Sequence, residues 1–198
     1  MIEPKRTENR VVLGPVVLSY VHLTEKYDPD NTGKGKYAAT LLIPKKEKAT
    51  VEALHAAVVA AKKQGRQAKW EGKLPPKLDV ALRDGDEKED ETMHGHWVVV
   101  AKTERRPEVV DRDRMPILDA EQIYSGMKAI VSITLYPYKV SGNAGVAAAL
   151  LGTEGALDAQ STLNNVMKTH DGQRLGGGKS AKEDFAGVDT AAIDDEWD

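Results

Sequence analysis

The chain has 198 residues and no cysteine, enough for one domain with a proper core and too few for more than two small ones; disulfides, thiolate nucleophiles and cysteine-held zinc are excluded at once. Its net charge of −3 hides a division: residues 187–198 hold five acids and no base, which leaves 28 bases against 26 of the 31 acids, a net of +2, in residues 1–186. The start, MIEPKRTENR, is charged and nowhere do 18 apolar residues run together, so neither a secretory leader nor a membrane span is expected.

Val11 to Leu23, VVLGPVVLSYVHL, is rich in β-branched residues and reads as the first strand. Gly14-Pro15 in its middle marks an edge strand, a bulge or two short strands. An exposed edge there offers a route to a homodimer. The polar stretch TEKYDPDNTGKGK is turn chemistry throughout, and Tyr37 to Ile43, YAATLLI, forms a second strand ending at Pro44. The two strands predict a hairpin with a long basic tip carrying Lys34 and Lys36.

Thr50 is placed to cap a helix running to about Gln64, with Val51, Leu54, Val58 and Ala61 as its buried stripe and Gly65 as its stop. Arg66 to Asp84 reads as an ordered loop with Trp70 as a packing plug. Residues 84–91, DGDEKEDE, hold six acids and one lysine. They miss the EF-hand pattern, because Lys88 stands where an oxygen ligand belongs and Glu89 where glycine must turn, so a solvated acidic loop is expected. His94 and His96 would share one side of a strand, yet they lack the further ligands a zinc site needs, and no metal is assigned.

Trp97 to Ala101, WVVVA, is a third strand, followed by Lys102, Arg105 and Arg106 in the corner KTERRP. Arginine suits phosphate there because its fork bonds two oxygens. Val109 to Gln122 alternates charge, carries Pro116 and reads as a connection. The longest period-two run is Ile123 to Lys139, IYSGMKAIVSITLYPYK, predicted as one long strand. Met127, Ala129, Val131, Ile133 and Leu135 make its apolar face; Tyr124, Lys128, Ser132, Thr134, Tyr136 and Tyr138 make the other. Rings and a cation in one row suit a nucleic-acid strand, although tyrosine also favours exposed sheet faces for its β propensity alone.

Beyond it, Ala147 to Leu151 is expected to make one or two helical turns, and Leu163 to Thr169 a short strand before an Asp171-Gly172 turn. GGGKSAK, residues 176–182, is not a phosphate loop, since the Walker A spacing needs glycine where Gln173 stands. The glycines read as a hinge, and disorder is expected after about Gly187. There Asp194, Asp195, Glu196, Trp197 and Asp198 have the makings of a docking peptide, a ring for a pocket and carboxylates for its basic rim.

Several segments together resemble a bacteriophage family of single-stranded-DNA-binding proteins, long known only as a domain of unknown function and similar in architecture to the replication binding proteins of short-tailed phages. The matching stretches are LSYVHL, KYAATLLIPK, LRDGDE, HGHWVVVAKTERRPEVVD, IYSGMKAIVSITLYPYKVSGNAGV and DGQRLGGGKSAKEDFAG, in order from about Val16 to Phe185. The stretch LLGTEGALDAQSTLNN, residues 150–165, departs from the pattern. The resemblance implies a mainly β, OB-type antiparallel barrel with one packed helix over residues 1–186. It also implies single-stranded DNA binding without strong sequence preference in phage replication, recombination or repair, inside the host cytoplasm. Residues 187–198 would be an acidic tail that recruits replication or recombination proteins.

Chemistry and position then select Lys36, Tyr37, Arg105, Arg106, Tyr124, Lys128, Tyr136, Tyr138 and Lys139 as a DNA site, expected on one exposed trough, with no catalytic residue and no cofactor. The competing readings are a metal-dependent nuclease built on Asp84, Asp86, Glu87, His94 and His96, and a virion scaffold without DNA affinity.

Overall fold

The structure, a computed structural model, describes residues 1–140, 143–149 and 165–176. The elements in chain order are β1 (Lys5–Thr7), β2 (Arg10–Tyr27), β3 (Lys36–Pro44), α1 (Lys48–Ala68), β4 (Asp79–Val80), β5 (Leu82–Asp84), β6 (His96–Thr103), β7 (Glu108–Val110), β8 (Lys128–Val140), β9 (Asn143–Ala149) and β10 (Asn165–His170). Among the described residues, single 3-10 turns lie at Gly85–Glu87, Glu91–Met93 and Ala120–Gln122. The described helix is not long and apolar enough to cross a membrane.

Five strands close on themselves in the order β2-β3-β6-β9-β8, and β8 returns to β2. Neighbours run antiparallel except β6 and β9, which meet in parallel. That is the five-stranded Greek-key barrel of the OB fold, in which the second and third strands and the loop before them form the usual oligonucleotide face. Here those parts are β3, β6 and residues 28–35. β10 and β7 extend the sheet beyond the first half of β8.

The predicted apolar face of β8 faces the barrel interior, with Ala129, Val131, Ile133 and Leu135 fully buried alongside Leu13, Leu18, Leu41 and Val99. The strand itself starts at Lys128, so Ile123 to Met127 belong to the approach and not to one long strand. α1 packs chiefly on β8 and then β2, with Leu54, Ala57, Val58 and Ala61 inward.

Four further expectations change. β2 is a single 18-residue strand whose register against β8 shifts between Leu13 and Val16, in keeping with a bulge at Gly14-Pro15, and it is paired on both sides at Arg10 to Val12 and at Val17: Arg10 pairs with Thr7 and Thr134, Val17 with Leu42 and Lys128, and Leu18 is bonded to Met127 as well as paired with Leu41. Part of the stretch proposed as a dimer edge, Val11 to Leu23, is therefore occupied. Gly14 serves close approach, because it sits at φ +133° and a Cβ there would lie 2.6 Å from the Ala129 carbonyl oxygen. Thr50 is buried rather than capping, and Gly65 does not stop the helix, which continues to Ala68. Ala147 to Ala149 lie in strand β9, not in a helix. The expected flexible glycine hinge past Gly176 and the acidic tail lie outside the described residues.

Trp70 is the plug expected of it: it is buried, its indole N–H donates to the Tyr138 carbonyl at 3.1 Å, and its ring lies over Gly65. A Cβ on Gly65 would come within 2.5 Å of that ring. Helix propensity alone says that Gly65→Ala stabilises by about 1 kcal/mol. Overpacking against a hydrogen-bonded indole outweighs this, so the variant is expected to lose about 1–2 kcal/mol net, read from urea unfolding; a midpoint equal to or above wild type would contradict this seating of Trp70.

Candidate nucleic-acid interface

At the end of the barrel where β2 turns into β3, register brings several rings and cations together. Tyr37 pairs with Thr103, which sets Lys36 beside Glu104, and their side chains meet at 3.2 Å. Arg105 and Arg106 follow directly, both exposed. Tyr27 pairs with Lys36. The His22 ring stacks on Tyr27 with centroids 4.5 Å apart and planes 30° apart, and Lys26 Nζ stands 5.9 Å from the Tyr37 centroid. The loop tip is built and closed by Asp28, whose carboxylate accepts the Thr32 and Gly33 N–H groups at 3.2 and 2.7 Å.

The outward residues of β3 and β6 divide into an open and a covered half. Lys102 is exposed and Val100 is 40% exposed, whereas Leu42, Val98, Thr40 and Ser19 point outward and are nevertheless buried. The acidic segment 85–93 packs against β6 and reaches β2 through the Tyr20 hydroxyl, which donates to Asp90 Oδ2 at 2.9 Å. At its root the Lys45 ammonium bonds Asp84 Oδ1 and, at 2.6 Å, Asp86 Oδ2, while Asp86 Oδ1 accepts the Gly95 N–H at 2.6 Å. The segment is thus a pinned strap rather than a loose loop, although Glu87, Glu89 and Glu91 do face solvent.

The same contacts bear on the nuclease alternative. A lysine ammonium sits where a metal between Asp84 and Asp86 would have to sit. The His94 and His96 rings engage different backbone carbonyls, those of Lys88 at 2.9 Å and His94 at 2.8 Å. Among the described residues no cluster of three or more metal-ligating side chains forms.

The nine predicted site residues do not share one trough. Lys36, Tyr37, Arg105 and Arg106 share the hairpin end. Tyr124 stands elsewhere, its ring between Arg174 at 4.4 Å and Lys168 at 5.2 Å and its hydroxyl donating to Asp171 at 2.9 Å, so it fastens segment 171–174 to the barrel. Lys128 opens β8, and Tyr136 lies eight residues on, roughly 26 Å along the strand at about 3.3 Å per residue. Between them Ser132 and Thr134 are buried, which breaks the expected row. Tyr138 and Lys139 lie at the helix end, bonded to Asp79 at 3.3 Å and Glu71 at 2.7 Å. Tyr136 is 40% exposed.

A family model built on the ssDNA-binding protein of Enterobacter phage Enc34 matches residues 9–197. The chain belongs to that family. Protein p50 of Acyrthosiphon pisum secondary endosymbiont phage 1 is 30% identical over 155 residues, 73% of this chain and 82% of that protein. In fold, the chain is similar to the Enc34 single-stranded DNA-binding protein solved in complex with ssDNA, with a TM-score of 0.68 and 24% identity over 87% of this chain and 96% of that one. It is also similar to gp2.5, a single-stranded DNA binding protein encoded by bacteriophage T7, with a TM-score of 0.59 and 19% identity over 94% and 96% of the two chains. Within the family fold, the residues that pattern reading overlooks are His22, Lys26 and Tyr27, which lie in β2 beyond the end predicted from sequence or fall out of its simple alternation.

Lys45 holds the Asp84 and Asp86 carboxyls below the usual carboxylate range, and the two acids raise the Lys45 ammonium in turn. A lowered carboxyl stabilises the fold above its unfolded value, and that stability is lost as pH falls through the folded value, below about pH 4. Lys45 contributes below its own unfolded value and fades only as pH rises through its raised one. Wild type should therefore lose more melting temperature between pH 6 and pH 3 than Lys45→Met; equal losses in thermal melts would refute the coupling.

Proposed function

We propose that this protein binds single-stranded DNA without strong sequence preference along the open half of the β3–β6 face and the adjoining hairpin end. The observation that carries the reading is the convergence of His22, Tyr27 and Tyr37 with Lys26, Lys36 and Lys102 on the customary ligand face of an OB barrel. Unpaired bases expose π-faces that these rings can stack, at about 1–3 kcal/mol per base, and the ammonium groups meet the phosphates. Arg105 and Arg106 extend the cationic rim. A duplex keeps its bases stacked on each other and cannot use the rings. No covalent step is involved, and DNA handling in phage replication, recombination or repair fits such a protein.

The acidic end from Asp194 to Asp198, with Trp197 among four carboxylates, serves in this reading as a docking peptide for replication or recombination proteins; its composition supports the assignment.

A dye-labelled 20-nucleotide thymidine oligonucleotide titrated across a salt series tests the reading. Affinity should fall with salt, with Lys102→Ala and Arg106→Ala each flattening the log–log slope by about 0.7. Tyr27→Ala should cost about 1–3 kcal/mol, and Tyr138→Ala, at the far end of the barrel, should change little. Equal affinity for duplex and single strand, or no salt dependence, would defeat the proposal.

A further inference from the structure

Beside the stacking pair lies a cavity of about 440 Å³ whose walls include Tyr20, His22, Asp90, Thr92, Ser125 and Leu175, within the size range of small-molecule sites. Tyr20 reaches it by an unfavourable backbone: its φ is +48°, where the register of β2 against β3 shifts between Ser19 and His22. A bulky residue enters that region only at a conformational cost. Core packing does not offset the cost, because the side chain is 54% exposed. The strain delivers an aromatic ring to a cavity wall. His22, on the same wall, stacks on Tyr27, so the cavity opens onto the proposed DNA path.

Asp90 decides what can enter. Its Oδ1 accepts the Thr92 N–H and hydroxyl at 3.0 and 2.6 Å; Oδ2 accepts the Tyr20 hydroxyl at 2.9 Å and, among the described residues, no second donor. A carboxylate oxygen takes two donors, which leaves Oδ2 room for another. The Thr92 hydroxyl bond holds the Asp90 carboxyl below its ordinary range, so it is an anionic acceptor. Such a wall repels phosphate and welcomes N–H groups.

We propose that this cavity receives one unpaired nucleobase of the bound strand, stacked on Tyr20 with its Watson–Crick edge towards Asp90, and that it prefers guanine. The inference rests on the single-stranded DNA reading above. Guanine presents N1–H and N2–H side by side, so either one can fill the open position on Oδ2 with no acceptor facing the carboxylate; adenine and cytosine set a ring-nitrogen acceptor beside their amino group. Thymine offers a single N3–H between two carbonyl oxygens that an anionic acceptor repels. The preference is an addition to stacking, which by itself tolerates every base.

The test compares the full chain binding two 20-nucleotide strands, all thymidine or thymidine with guanine at every fourth position. Wild type should bind the guanine-bearing strand about fivefold more tightly. Asp90→Asn keeps an oxygen for the Thr92 N–H, and it should bind both strands equally. Tyr20→Ala should also erase the preference. Equal wild-type affinity for the two strands, or a guanine preference that survives Asp90→Asn, overturns the proposal. Failure of wild type to bind the thymidine strand at all would overturn the parent reading instead.

Discussion

Two residues on each side, Ala101–Lys102 of β6 and Ala148–Ala149 of β9, make the parallel contact that closes the barrel. Parallel pairing is somewhat weaker per residue than antiparallel, and here it is short. It holds because the inward members, Ala101 and Ala148, are small and buried, so the strands approach without displacing the leucines and isoleucines of the interior. The same contact turns Lys102 outward beside the open half of the ligand face. Closure and charge placement thus come from one register, and a slip by a single residue would send that ammonium into the core.

Where a strand buries one whole face, its period shows in the sequence. β8 is the clear case: every second residue from Ala129 to Leu135 is fully buried, and the alternation marks the element correctly apart from its start. The helix stripe is legible for the same reason. β9 is not, because Asn143 to Ala149 is mostly small residues that carry no β signature and are held in the sheet by pairing with β8. Gly65 misleads as a helix stop since its lack of a side chain serves Trp70, not a cap. β4 and β5 are two and three residues long, too short for any period.

The site was harder to read than the fold, because it depends on irregularities. β2 shifts register against β3 twice, between Ser19 and His22 and between His22 and Tyr27, and each shift changes which side chains face out. Strict alternation cannot assign those residues. Tyr124 and Tyr136 look alike in the sequence, yet one is enclosed by cations from segment 165–176 and the other stands at the opposite end of β8. The acidic stretch reads as solvated until Lys45, 39 positions before Asp84, is seen to hold it.

The sheet path ends in β1 and β7, each only three residues long. Lys5 and Arg6 charge the first, and the second carries an added bridge from Val110 to Pro116. Long flat edges template aggregation, whereas short, charged or covered ones do not. Two copies that meet at these borders therefore do not zip into a continuous intermolecular sheet.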